Sequence, residues 1–417
     1  MREINTELWE KAEELEEQLG PVYRQIEKTA AKNHARVLNA FRQARISDQH
    51  LKGTSGYGYS DIGRQGVEDV FAGVFNAEAA LVRGQIVSGT HAIALGLFGV
   101  LRPGDELLSV TGEPYDTLQE LIGIRSGVPG SLKEFGVSYR QVELTASGQL
   151  DWPAIELAVT AKTRMVLIQR SRGYAWRSAL AVEDIGRVCE GLKKLNPGIV
   201  TFVDNCYGEL VETVEPTAVG ADLAAGSLIK NLGGGLAPTG GYVAGKKEFV
   251  EMAANRLTSP GIGAAVGATL DLNRWLLQGI YMAPAAVREA LKGAVFTASL
   301  FENLGFQVSP GSREYRGDLI QGIRLGSPEL MVAFCRGLQH ASPVDSHIIP
   351  EPWQMPGYDD EVVMAGGTFT QGSTIELSAD GPIRPPYAIY LQGGLSLDYT
   401  RLSVLGAAQA CQDILKK

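Results

Sequence analysis

Ala224-Ala225-Gly226-Ser227-Leu228-Ile229-Lys230-Asn231-Leu232-Gly233-Gly234-Gly235 carries a short apolar run into a glycine-rich turn, with one lysine at the junction and a serine three positions before it. A lysine partly desolvated at the end of a strand can lose its proton and attack an aldehyde, whereas an exposed helical lysine stays protonated. The same residues also suit a solvated lysine before a flexible loop. What surrounds the stretch in sequence decides between the two.

Upstream, Ile199-Val200-Thr201-Phe202-Val203 has the β-branched, apolar character of a buried strand and runs directly into Asp204-Asn205-Cys206-Tyr207-Gly208-Glu209. A carboxylate at the C-terminal end of a strand in an α/β sheet faces the ligand side. Alone, Asp204 equally suits a helix cap. Followed by a lysine at the end of the next apolar strand, it matches what pyridoxal phosphate chemistry needs: an acidic partner keeps the pyridinium ring cationic, and the cationic ring accepts electrons. Earlier still, strand-like Ala79 to Gly84 precedes Val87-Ser88-Gly89-Thr90-His91-Ala92, the start of an apolar helix. Free N–H groups at such a start, with hydroxyls beside them, bind a phosphate, although the same pattern serves as a plain cap.

With these stretches, the chain resembles a known group. Tyr57-Gly58-Tyr59-Ser60-Asp61-Ile62-Gly63-Arg64, Val87 to Thr90, Phe202 to Asn205 and Ser227 to Lys230 are similar to successive motifs of the cystathionine-metabolism branch of fold-type I pyridoxal phosphate enzymes. Asp204 to Glu209, Pro238-Thr239-Gly240-Gly241-Tyr242 and Leu391-Gln392-Gly393-Gly394 resemble, more closely, the methionine gamma-lyase-like or aluminium resistance proteins. The resemblance covers nearly the whole chain. It implies that Lys230 binds the cofactor aldehyde and that Asp204 faces the ring nitrogen. Ser88, Gly89, Thr90 and Ser227 would hold the phosphate. Tyr115, in Glu113-Pro114-Tyr115-Asp116-Thr117, falls where relatives stack an aromatic residue on the ring, and alternatively is a turn aromatic over the core. Tyr59 falls where relatives send a tyrosine to the phosphate of a neighbouring subunit.

Two departures stand out. Asp61 occupies the place of a phosphate-gripping arginine, leaving Arg64 as a candidate substitute, and Ile229 replaces a hydroxyl residue before the lysine. For the substrate carboxylate there are two candidates. Arg384 lies in the proline-rich Gly381 to Tyr387 loop, where a constrained planar fork suits a carboxylate. Arg401, in Thr400-Arg401-Leu402-Ser403-Val404, resembles the C-terminal carboxylate arginine of the branch. Arg170 and Arg172 follow a buried strand and are read either as ligand contacts or as a solvated loop pair. His91 is read as a packed helix residue, and Cys206 is given no catalytic role.

Composition agrees. The chain has 417 residues, 45% hydrophobic and 20% charged, enough for two domains. A formal charge of −9 argues against a nucleic-acid partner or an anionic membrane surface. Four scattered cysteines lack metal or disulfide spacing and no secretion signal is evident, so the expected location is the cytoplasm. No apolar run approaches the ~20 residues that span a bilayer.

The expected fold is α/β, of the fold-type I pyridoxal phosphate transferase kind. A mostly parallel sheet flanked by helices would carry the cofactor, with a smaller α/β domain behind it. The expected divisions are residues 1–65, a helix over Asn5 to Gln18 and an intersubunit arm; 66–299, the large cofactor domain; and 300–417, the small domain. A long helix is expected from Ala285 to Asn303, opened by Pro284. The resemblance implies a homodimer or homotetramer with shared active sites, acting on a small amino acid. The reading is a carbon-sulfur lyase that eliminates a thiol from a sulfur amino acid. In it, Lys230 moves the α-proton and Tyr115 acts as acid toward the leaving group. Replacement chemistry on the same residues is the alternative, and a non-catalytic cofactor-binding protein linked to aluminium tolerance is another.

Overall fold

The computed structural model describes residues 4–125 and 128–416. Seven strands form the large sheet: β1 (Ala79–Arg83), β2 (Glu106–Ser109), β3 (Ser138–Gln141), β4 (Thr163–Gln169), β5 (Val200–Asp204), β6 (Leu223–Ser227) and β7 (Gly241–Gly245), in the order β1-β7-β6-β5-β4-β2-β3. From β3 through β6 all neighbours are parallel, while β7 runs antiparallel to both β6 and β1. Parallel pairs need crossover connections, and helices laid over both faces bury the strands completely. Alternation along β4 shows it: Val166 and Ile168 join one core with Phe71, Phe75 and Tyr242, and Met165 and Leu167 join the other with Phe202 and Val243. This is the α/β architecture expected from the sequence.

The helices are α1 (Thr6–Gln18), α2 (Gly20–Gln43), α3 (Ile62–Phe75), α4 (Gly89–Val100), α5 (Asp116–Ile122), α6 (Trp152–Ala158), α7 (Val182–Leu195), α8 (Lys247–Leu257), α9 (Asn273–Asn303), α10 (Pro328–His340) and α11 (Leu397–Leu415). Pro284 does not open α9 but lies inside it. An internal proline costs about 3 kcal/mol. Buried Leu276, Leu277 and Ile280 before it and Val287, Ala290 and Leu291 after it hold the helix together across the break. None of the helices among the described residues is long and apolar enough to cross a membrane.

A second, antiparallel sheet of order β10-β11-β12-β9-β8 joins β8 (Gln307–Ser309), β9 (Gln321–Arg324), β10 (Val362–Ala365), β11 (Ser378–Pro382) and β12 (Ala388–Gln392). The stretch Gly381 to Tyr387, expected to be loop, therefore begins as the end of β11, where Pro382 pairs with Val362 at the sheet margin. Residues Leu8, Ala12 and Leu15 of α1 pack with Phe301, Phe334 and Leu405 of this smaller unit, whereas Val37 and Ala40 of α2 belong to the core of the large one.

Candidate active site

Strands β5 and β6 lie side by side in register, and their C-terminal ends deliver the two central groups. β6 ends at Ser227, and Leu228 stays buried before the chain turns. The turn is tight enough to require glycine: a Cβ on Gly233 would lie 1.8 Å from the Leu228 carbonyl oxygen. Lys230 is thereby directed inward. Its Nζ donates to the Ser373 carbonyl at 3.4 Å and lies 3.6 Å from the centroid of the Tyr207 ring.

Asp204, the last residue of β5, is buried, and its Oδ1 accepts the Cys206 N–H at 3.2 Å. Burial pushes its pKa up, opposed by the Cys206 hydrogen bonds and by the charges of Lys230 and Arg177. A cation against its remaining lone pairs would favour its ionised form. The start of α4 closes the opposite side. Ser88 caps the helix by accepting the His91 N–H at 3.0 Å, which leaves its hydroxyl proton as a donor, and Thr90 Oγ1 is 2.8 Å from Thr117 Oγ1. The first amides of the helix have no partner within it. A Cβ on Gly89 would come within 3.0 Å of Cys206 Sγ and 3.5 Å of the Ser227 Cβ, so only glycine leaves room for a ligand between these walls.

Together these residues line a cavity of about 250 Å³ between the two domains, with Ser88, Gly89, Thr90, Ser227, Asp204, Lys230 and Tyr115 all on its wall. They fit pyridoxal phosphate. The helix start and Ser227 suit the phosphate, and the buried Asp204 carboxylate suits a cationic ring nitrogen. Tyr115 is fixed at both ends: its N–H donates to Gln169 Oε1 at 2.7 Å and its hydroxyl is 2.7 Å from that of Tyr358. Burial raises its pKa well above the usual phenol value, so it is a protonated donor at neutral pH.

Other expected residues are placed elsewhere. Arg401, on α11, is ion-paired to Glu16 at 3.0 Å and does not reach the cavity. The carboxylate role that the motif likeness implied for it is therefore not supported by its place outside this cavity. Arg384 is held by Asp360 at 2.8 Å and lines an adjoining cleft that shares Tyr115 and Tyr174 with the cavity. Arg64 is no phosphate ligand within this chain, because its guanidinium is spent on the carbonyls of Gly58 (2.7 Å), Gly267 (2.7 Å) and Ala265 (3.1 Å). Asp61 caps α3 and gathers Thr54, Thr269 and Asn273. Arg170 and Arg172 are neither ligand contacts of this cavity nor solvated: Arg170 bonds Asn205, Gly208 and Glu212, and Arg172 bonds Ser309. His91 accepts the Val87 N–H through Nδ1, a packed helix-start role. Tyr59 is 66% exposed and stacks on Tyr57, with centroids 5.6 Å apart, away from the cavity of its own chain.

Several lining residues gave no signal at their own positions. Ser373, Asp380 and Tyr390 come from the small unit, whose strands β10 to β12 were not foreseen, and Tyr358 comes from a loop; Gln392 was noticed only as part of the Leu391 to Gly394 motif.

Glu209 lies behind the site. It is fully buried, accepts the Tyr242 hydroxyl at 2.8 Å, and among the described residues has no partner for Oε2. Burial raises its pKa to about 8. A carboxyl raised on folding contributes stability that is complete below its unfolded pKa and is lost as pH climbs through the folded value. The wild-type melting temperature should therefore fall between about pH 5 and pH 8 by more than that of Glu209→Gln, whose neutral amide does not titrate. Parallel melting curves of the two proteins across this range would exclude the assignment.

Residues 8–412 match the family model described as methionine gamma-lyase. The chain is 50% identical to the uncharacterized Bacillus subtilis protein YnbB, over 96% of this chain and 95% of that one. A carbon-sulfur lyase involved in aluminium resistance from Clostridium novyi NT superposes with a TM-score of 0.93 at 48% identity, covering 97% of this chain and 96% of that chain. The pyridoxal-5'-phosphate-dependent protein YhfS from Escherichia coli shares the fold at a TM-score of 0.63 and 18% identity, over 93% and 97% of the two chains. On the strength of a match that runs almost end to end, the chain belongs to the methionine gamma-lyase family of pyridoxal phosphate-dependent fold.

Proposed function

We propose that this protein is a pyridoxal phosphate-dependent carbon-sulfur lyase that eliminates a thiol from a sulfur amino acid. The observation that carries the reading is one lysine amine, Lys230, sharing a cavity with a buried strand-end carboxylate, Asp204, and an open helix start at Gly89. The family and the name of the Clostridium novyi relative support it.

Asp204 would hold the cofactor's ring nitrogen, the Gly89 and Thr90 amides with Ser227 its phosphate, and Tyr115 its ring face. When bound, the cofactor supplies an electron sink for the carbanion formed at the substrate's α-carbon. Lys230 takes the α-proton as general base, and Ser373 and Tyr207 keep its amine inside the cavity. As the carbon-sulfur bond breaks, the sulfur takes the bonding electrons and the Tyr115 hydroxyl, kept protonated by burial, gives it a proton. The rest of the substrate leaves as α-keto acid and ammonia after hydrolysis by water.

Incubation with methionine, cysteine and cystathionine tests this, with thiol, ammonia and α-keto acid measured together. Equimolar release of all three from at least one of them is expected. Formation of a new amino acid in place of keto acid would instead mean replacement, and no turnover on any of them would overturn the proposal. The exposed Tyr57 and Tyr59 pair supports a further part of the reading: the arm docks on a second copy, giving a homo-oligomer. A strictly monomeric, fully active preparation would refute that part.

A further inference from the structure

The side of the cavity that faces the small domain is unusual for a site that receives an amino acid: among the described lining residues there is no arginine, and Lys230 is the sole base. Its wall is a carboxylate, Asp380, set among tyrosine rings. Tyr174 is central, with centroids 5.6 Å from Tyr115, 5.9 Å from Tyr358 and 5.4 Å from Tyr390. Asp380 is 6% exposed, and its Oδ2 accepts the Ser373 hydroxyl at 2.8 Å. The carbonyl of the same serine receives Lys230 Nζ, which lies over the Tyr207 ring. The chain's own amine is thus already held by this assembly.

Aromatic faces and a buried carboxylate attract a cation and repel an anion. We propose that Asp380 and this tyrosine box form a seat for a positively charged group at the far end of the substrate's side chain, preferring a primary ammonium there to an uncharged or carboxylate end. The inference rests on the reaction proposed above, in which the α-amine is taken up at the cofactor's aldehyde and the distal end of the side chain is recognised apart from the α-carboxylate. An ammonium suits the seat better than a sulfonium because its N–H groups donate charge-assisted hydrogen bonds to Asp380, and a sulfonium has none to offer. Burial pushes the Asp380 pKa up while Ser373 and the charge of Lys230 oppose it, so a second cation favours the ionised carboxylate further.

The test is calorimetric titration of the cofactor-loaded protein with L-lysine, L-norleucine and L-glutamate, none of which has a carbon-sulfur bond to break. L-Lysine should bind at least about tenfold more tightly than L-norleucine, and L-glutamate most weakly. Asp380→Asn should erase the preference for lysine, and Asp380→Glu should retain part of it. Norleucine binding as tightly as lysine, or a preference that survives Asp380→Asn, would overturn the inference. The wild-type comparison decides alone should Asp380→Asn fail to fold. If thioethers are cleaved without any lysine preference, the seat fails and the lyase reading stands; if no thioether is cleaved, the lyase reading fails whatever lysine does.

Discussion

Lys230→Ala is expected to lower turnover by about 10³-fold or more, since it removes the amine to which the proposed mechanism gives the α-proton and general-base losses alone reach about 10⁴-fold. The fold should survive. Among the described residues Lys230 bonds only the Ser373 carbonyl and the Tyr207 ring, and the glycine turn that orients it is fixed by backbone contacts around Gly233. Two measurements read the result. Steady-state release of keto acid should collapse with an unchanged melting transition. Borohydride reduction of the cofactor-loaded protein should label Lys230 in wild type and no lysine in the variant; a label on any other lysine would remove Lys230 from its role.

Asp204→Asn separates charge from shape. The amide oxygen can still accept the Cys206 N–H, so the end of β5 keeps its geometry. What goes is the negative charge facing the cavity. Loss of one preorganised electrostatic partner typically costs about 10²- to 10³-fold in turnover, and the loss should fall on kcat with the cofactor still retained. Near wild-type kcat in Asp204→Asn, measured on protein shown to carry cofactor, would place the ring partner elsewhere.

The large-domain half of the site was legible because each of its pieces is local. Asp204 and Lys230 announce themselves as polar residues ending apolar runs, and the Ser88-Gly89-Thr90 start carries the signature of a helix N-terminus. The same locality made the strands β1 and β5 readable to within a residue. The small-domain half was not legible, because antiparallel strands such as β11, Ser378-Ala379-Asp380-Gly381-Pro382, have small residues, glycine and proline where a strand pattern calls for alternation. Pairing with β10 and β12 overrides that weak local preference. Asp380 therefore drew no reading from the sequence. Arg401 misled for the opposite reason: a short motif likeness carried no information about secondary structure, and α11 turns the residue toward α1.

The antiparallel strand β7 has a consequence for how the protein is made. Among the described residues it is the only neighbour of β1 in the sheet, and β1 feeds directly into the helix start at Gly89. A nascent chain that has not yet released Gly241 to Gly245 from the ribosome has β2 to β6 available to assemble but no partner for the backbone of Ala79 to Arg83. Truncations ending before residue 241 should consequently be cut by protease around β1 while protecting β4 and β5. The Ser88-Gly89-Thr90 helix start, though encoded earlier than Asp204 and Lys230, becomes the last of the three to be set in place, so a stalled or shortened chain would carry the lysine long before the cavity wall opposite it.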